Sequence, residues 1–173
     1  PLSIYSGDSE SVAPAATNQV RWEGNLSTSD TEAIIMMNFF DSLGNEYSMP
    51  FKATKDDGNW DLDLHKDNGS LKIGFNGKSY TIAADPTLNS TSLKLEFDDN
   101  GKLTAPAGGI DFDLTSGLVL TSVDDPTKTL TVNAKDIKIK LDVSKITQYN
   151  QKTTVQSYRG DGTGAGSGQA PGQ

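Results

Sequence analysis

Four dipeptides punctuate this chain: Asp57-Gly58, Asn68-Gly69, Asn76-Gly77 and Asn100-Gly101, each set between runs in which apolar and polar residues alternate. Such pairs accept the positive φ of tight hairpins, so they let the chain reverse at little conformational cost. The runs themselves have a period of two. In NWDLDLHK, Trp60, Leu62 and Leu64 fall on one face and Asp61, Asp63 and His65 on the other. DIKIKLDV repeats the pattern, with Ile137, Ile139, Leu141 and Val143 inward and Asp136, Lys138, Lys140 and Asp142 outward. That is the signature of strands with one wet face, as in antiparallel sheets. Further strands are expected over residues 19–26, 33–40, 46–54, 71–75, 79–84, 92–97, 110–114, 118–122, 129–133 and 153–157. FDSLGN, from Phe40 to Asn45, supplies one more reversal through a longer loop. No ten-residue stretch has a 3.6-residue period. The expectation is an all-β fold, an antiparallel β-sandwich or barrel-like domain of hairpins with little or no helix.

At 173 residues the chain fits one domain, and a domain of this size buries about 70% of its unfolded surface without staples. Cysteine is absent, which excludes thiol catalysis, disulfides and cysteine-based metal sites. The formal charge of −8, with Lys and Arg scattered, opposes approach to phosphate backbones and anionic lipid, so neither nucleic acid nor membrane is an expected partner. The longest apolar burst, AIIMM from Ala33 to Met37, is far short of the roughly 18 residues of a membrane-spanning helix. The chain begins at Pro1 and has no signal-peptide pattern, so it reads as an excised fragment. Residues 1–16 read as an extended lead-in, 17–158 as the β-domain and 159–173 as a flexible Gly-rich tail.

Candidate chemical groups are few. His65 shares its predicted wet face with Asp61 and Asp63, but strand geometry sets such neighbours about 7 Å apart and offers no converging third ligand. A Ser-His-Asp arrangement would have to use His65, and no G-x-S-x-G elbow accompanies it. In DDNGK, placing Gly101 sixth in a calcium loop puts Ala107 twelfth, where a bidentate Glu is required. Asp56-Asp57 and Asp124-Asp125 adjoin Gly58 and Pro126, so they belong to turns rather than to a catalytic cleft. Arg159-Gly160-Asp161 is an RGD tripeptide in a Gly- and Asp-rich chain, where chance explains it; the sequons at Asn25, Asn68 and Asn89 each fit a turn. No catalytic residue, metal ligand or cofactor site is expected, and the chain does not read as an enzyme.

The wording of the turns is more specific than their number. FFDSLGNEYSMPFKATKDDGNWDLDL resembles the segment of bacterial flagellar hook proteins in which a strand runs into a YDS-x-GN turn, returns, and meets a charged turn before a Trp-bearing strand. SLKLEFDDNGKL resembles that family's L-x-F-x-x-NG-x-L hairpin, and KIKLDVSKITQYNQKTTVQSYRGDG its outgoing segment with a TQ run and a following DG. ATNQVRWEGNL resembles the family's first strand, so the likeness spans about residues 13–161. Phe40 stands where the family often has Tyr, and TGAGSGQ follows where relatives continue into further strands.

The resemblance implies a structural segment of the hook, the curved tube that links motor to filament outside the cell envelope. This chain would be mainly the outermost β-domain. Its partners would be copies of itself in a helical tubular polymer, held by terminal helices absent from this stretch, together with other flagellar proteins; the fragment alone would be monomeric. The alternative is a bacterial surface β-sandwich that binds glycan or calcium through acidic loops.

Overall fold

The computed structural model describes residues 16–82, 93–114, 116–133 and 137–160. Among them there is no helix, and strands dominate. The small sheet has the order β10 (Ile110–Asp113), β13 (Lys138–Thr147), β1 (Gln19–Asn25), β14 (Gln156–Arg159). The large sheet runs β12 (Thr129–Val132), β11 (Leu118–Ser122), β7 (Lys78–Ile82), β6 (Ser70–Phe75), β3 (Glu46–Asp56), β4 (Asn59–Leu64), β8 (Lys94–Phe97), β9 (Leu103–Ala105). To it are added β2 (Glu32–Phe40), which pairs with β3, and β5 (Lys66–Asp67), which pairs with β6.

The antiparallel expectation holds for the described pairings except one: β1 and β13 run parallel, from Gln19 opposite Lys140 to Asn25 opposite Thr147. A parallel pair needs a long crossover, and here nearly the whole large sheet supplies it. Because β14 then returns antiparallel along β1, Val20 pairs with Arg159 and the Gly160 amide donates to the Gln19 carbonyl at 2.7 Å. The chain enters and leaves this fold at one spot.

Pro50 organises the large sheet. Along one edge β3 pairs with β2 without interruption, from Glu46 to Thr54. Along the other edge it pairs with β4 only over Phe51 to Asp56, and with β6 at Tyr47 and Ser48. The Pro50 carbonyl accepts from the His65 amide at 2.9 Å, but proline has no N–H to return the bond, so that ladder stops there. β4 diverges at His65, β6 takes its place, and the sheet forks into two wings.

The core follows from the alternation. Ala33, Ile35, Met37 and Phe39 of β2 and Ile139, Leu141 and Val143 of β13 are buried, each separated by an outward residue. An unbroken row of rings ties the sheets together: Trp22 meets Phe51 at 5.4 Å, Phe51 meets Phe112 at 5.6 Å, and Phe112 meets Phe39 at 5.8 Å. Phe39 stacks on Tyr47 at 4.9 Å, and Tyr47 meets Phe75 edge-on at 5.2 Å. Fully burying an aromatic or large aliphatic side chain contributes about 1.5–3 kcal/mol.

Strand limits differ from the reading of the alternation in places where alternation lapses. β13 continues through Thr147, well past Val143; β9 and the two-residue β5 are additional; β14 begins at Gln156, because Thr153 and Thr154 are held by side-chain bonds rather than by a ladder. Ile34 and Met36 of the AIIMM burst face outward, at 48% and 45% exposure. The expectations for residues 1–15, the ends of the 79–84 and 92–97 strands, the sequon at Asn89, Asp136 and the tail beyond Gly160 lie outside the described residues.

Candidate functional site

The motifs that resemble hook proteins are far apart in sequence and meet at one end of β1. β13 delivers Thr147, after which residues 148–155 cross the end of β1 before β14 begins. Asn25, only 7% exposed, organises that crossing. Its Oδ1 accepts from the Thr147 hydroxyl and the Tyr149 amide, both at 2.8 Å. Its Nδ2 donates to the carbonyls of Gln151 at 2.9 Å, Tyr149 at 3.2 Å and Lys152 at 3.4 Å. Beside it, Thr153 Oγ1 accepts from the Ser27 amide at 2.9 Å and donates to Asp30 Oδ2 at 2.6 Å.

Gln148 extends the junction to the hairpins. Its Oε1 accepts from the Trp60 indole N–H at 2.8 Å, and its Nε2 donates to the Gly58 carbonyl at 2.9 Å. Its backbone amide donates to the Gly101 carbonyl at 2.9 Å. Gly101, at φ +81°, lies so close that an added Cβ would stand 2.5 Å from the Gln148 carbonyl oxygen. The first strand, the charged turn with its Trp, the Asn-Gly hairpin and the TQ run therefore form one hydrogen-bonded assembly.

A second assembly sits in the FDSLGN turn. Asp41 is 7% exposed. Its Oδ1 accepts from the amides of Leu43 and Asn45 at 2.9 and 3.0 Å, and its Oδ2 from the Asn45 side chain at 3.0 Å and the Tyr47 hydroxyl at 2.8 Å. Burial works to raise the Asp41 pKa, but the four hydrogen bonds outweigh it and hold the carboxyl below its ordinary 3.8. Burial, and then the bond and charge of Asp41, push the Tyr47 hydroxyl well above its usual range. Gly44 takes φ +84°, a conformation that costs glycine nothing and other residues strain. The result is a stiff turn whose tip carries Leu43, 81% exposed.

A family model described as the flagellar basal body protein FlaE D2 domain matches residues 9–163. The chain belongs to that family. No curated protein matches it. Membership makes this FlaE D2 domain part of a flagellar hook protein, a structural and non-enzymatic family that serves motility. The junction around Asn25 and the Asp41 turn both lie within the matched residues.

The remaining candidate groups of this FlaE D2 domain engage local partners. His65 continues the register of Asp61 and Asp63 at the fork between β4 and β5, half-buried, with its amide on Pro50. Asp61 and Asp56 face Lys94 instead, at 3.6 and 3.4 Å, while Asp63 accepts from the Leu64 amide at 2.8 Å. Among the described residues no group of three or more His, Asp or Glu could hold a metal ion. Asp98 closes the β8–β9 turn by accepting from the amides of Asn100 and Lys102 at 2.8 and 3.0 Å. Asp125 likewise accepts from the Thr127 hydroxyl at 2.6 Å, on the rim of a polar groove of about 530 Å³. Arg159 and Gly160 are fixed to the body, the guanidinium lying 4.9 Å from the Phe40 ring. Asp161 is outside the described residues.

Asn25 ends a strand rather than occupying a turn, and its amide is committed to the crossing segment. Of the described sequons only Asn68, in a hairpin at φ +53°, fits the turn expectation. Sequence reasoning passed over Asn25, Asp41 and Gln148 as site residues. The available signal was the order of the GNL, NG and TQ segments, which does not reveal that they touch.

Proposed function

We propose that this domain forms the outer surface of the hook, the curved tube linking motor to filament outside the cell envelope, where it makes non-catalytic contacts between neighbouring subunits. Residues 17–158 are the outer domain in this reading, and no cofactor or metal takes part. The observation that carries it, beside family membership, is the pairing of Val20 with Arg159 and of Gln19 with Gly160. A fold attached at one spot stands clear of whatever holds the polymer together, and its surface is left for neighbours. Outward charged residues such as Lys138, Lys140 and Asp111 discourage tight edge-to-edge pairing, which fits a domain that is monomeric by itself. Contacts of that kind rearrange at low cost as a bent tube shortens on one side.

The test is to delete residues 20–159 from the full-length protein, joining two positions already within hydrogen-bond distance. Tubes should still assemble, but straighter and softer, with impaired swimming. Electron micrographs showing no tubes, or tubes of normal curvature, would refute the outer placement.

A further inference from the structure

We infer that Asn68-Gly69 is a site of spontaneous backbone modification, where the asparagine side chain cyclises, loses ammonia and leaves an aspartyl or isoaspartyl residue. The inference goes beyond the hook reading and does not depend on it. Three turns of this chain carry Asn-Gly, and in each the glycine has no Cβ to shield its amide nitrogen from the preceding side chain. The fold treats the three differently.

Asn76 is held at both ends of its side chain: Oδ1 accepts from the Glu46 amide at 2.8 Å, and Nδ2 donates to Asn45 Oδ1 at 3.0 Å. At Asn100 the attacking nitrogen is withheld. Gly101 is buried, its amide donates to the Asp98 carbonyl at 3.0 Å, and its carbonyl accepts from the Gln148 amide. Asn68 and Gly69 are exposed, and among the described residues neither the Asn68 side chain nor the Gly69 amide has a hydrogen-bond partner. Cyclisation also requires the turn to loosen until the glycine nitrogen reaches the side-chain carbon. β5 lets that happen, because it has two residues and pairs only through Lys66–Leu71 and Asp67–Ser70. Asn76 instead closes the β6–β7 ladder, which runs from Phe75–Lys78 to Leu71–Ile82. Short, exposed ladders open at small free energy.

In the reaction the Gly69 nitrogen gives up its proton and bonds to Asn68 Cγ, the Cγ–Nδ2 bond breaks, and Nδ2 leaves as ammonia. Water then opens the cyclic imide at one of its two carbonyls. One opening gives aspartate; the other gives an isoaspartyl link, which lengthens the backbone by one carbon. Either product sets a negative charge beside Asp67. The longer link no longer fits a two-residue reversal, so β5 separates from β6 while β6 keeps its pairings with β7 and β3. One hairpin ages and the core is left intact.

The purified chain should be incubated folded in mildly alkaline buffer and, in parallel, in concentrated guanidinium, then digested at lysine. Cleavage at Lys66, Lys72, Lys78, Lys94 and Lys102 puts the three asparagines in separate peptides, whose mass gain and isoaspartate content are followed with time. In guanidinium the three should react at similar rates. In the folded chain Asn68 should react roughly tenfold faster than Asn76 or Asn100, and Asn68→Gln should remove most of the ammonia released. Equal rates in the folded chain, a faster Asn76 or Asn100, or a folded chain whose Asn68 stays intact once the denatured sample has reacted, would overturn the assignment.

Discussion

Replacing Asn25 by alanine tests whether one amide holds the crossing segment over the end of β1. The substitution removes five hydrogen bonds, of which three, at 2.8, 2.8 and 2.9 Å, have full-strength geometry. Each such bond contributes a net of about 1 kcal/mol, and a buried donor left unpaired adds about 1–3 kcal/mol. The crossing segment is partly exposed, so water can reach some of the orphaned groups, which places the total near 3 kcal/mol. For a domain of this size that corresponds to a fall in Tm of roughly 6–12 °C, measurable by calorimetry. Asn25→Asp is the sharper variant. It keeps the acceptor oxygen but sets a second oxygen against the Gln151 carbonyl, so it should destabilise at least as much despite an identical shape. An alanine variant melting within about 2 °C of the parent, or an aspartate variant as stable as the parent, would refute the assignment.

Three further outcomes follow from local geometry. Because the folded pKa of Asp41 lies below its ordinary 3.8, its stabilising effect is complete above that value and is lost as pH falls through the lowered one. Asp41→Asn should therefore be less stable than the parent near pH 7, and the gap in denaturant midpoint should narrow below about pH 4; a constant gap counts against the turn network. Gly101→Ala and Gly58→Ala share a strained positive φ, near 81° and 86°, but only the former drives a Cβ to 2.5 Å from backbone. Gly58→Ala should cost about 1 kcal/mol and Gly101→Ala clearly more, and equal midpoints in urea would show that the hairpin does not press on Gln148. Trp60→Phe keeps the buried ring and loses the indole donor to Gln148, so it should destabilise by about 1–2 kcal/mol, whereas an unchanged midpoint would remove Gln148 from the junction.

Alternation was enough to read β2, β4 and β13, because a sheet with one buried face writes its period directly into residues such as Ile137, Ile139, Leu141 and Val143. It could not reveal which strands are neighbours. The parallel β1–β13 pair joins residues more than a hundred positions apart, and nothing local in either segment carries that information. Pro50 lies inside the expected 46–54 strand, and the fork it causes depends on β6 arriving from elsewhere. The junction was hidden for a related reason: Asn25 and Gln148 are ordinary polar residues until the chain's two ends fold together around them. Alternation placed His65 with Asp61 and Asp63, but could not show that the break in pairing beside Pro50 leaves it half-buried at a fork.

The pairing of Gln19 with Gly160 has a mechanical consequence. Two neighbouring antiparallel strands pulled apart from the same end open like a zipper, one hydrogen bond at a time, and resist far less than strands sheared along their length. Tension applied through these two points would peel β14 from β1, beginning at the Gly160 amide. On the proposed outer placement, load that bypassed these two points would leave the β1–β14 pair intact.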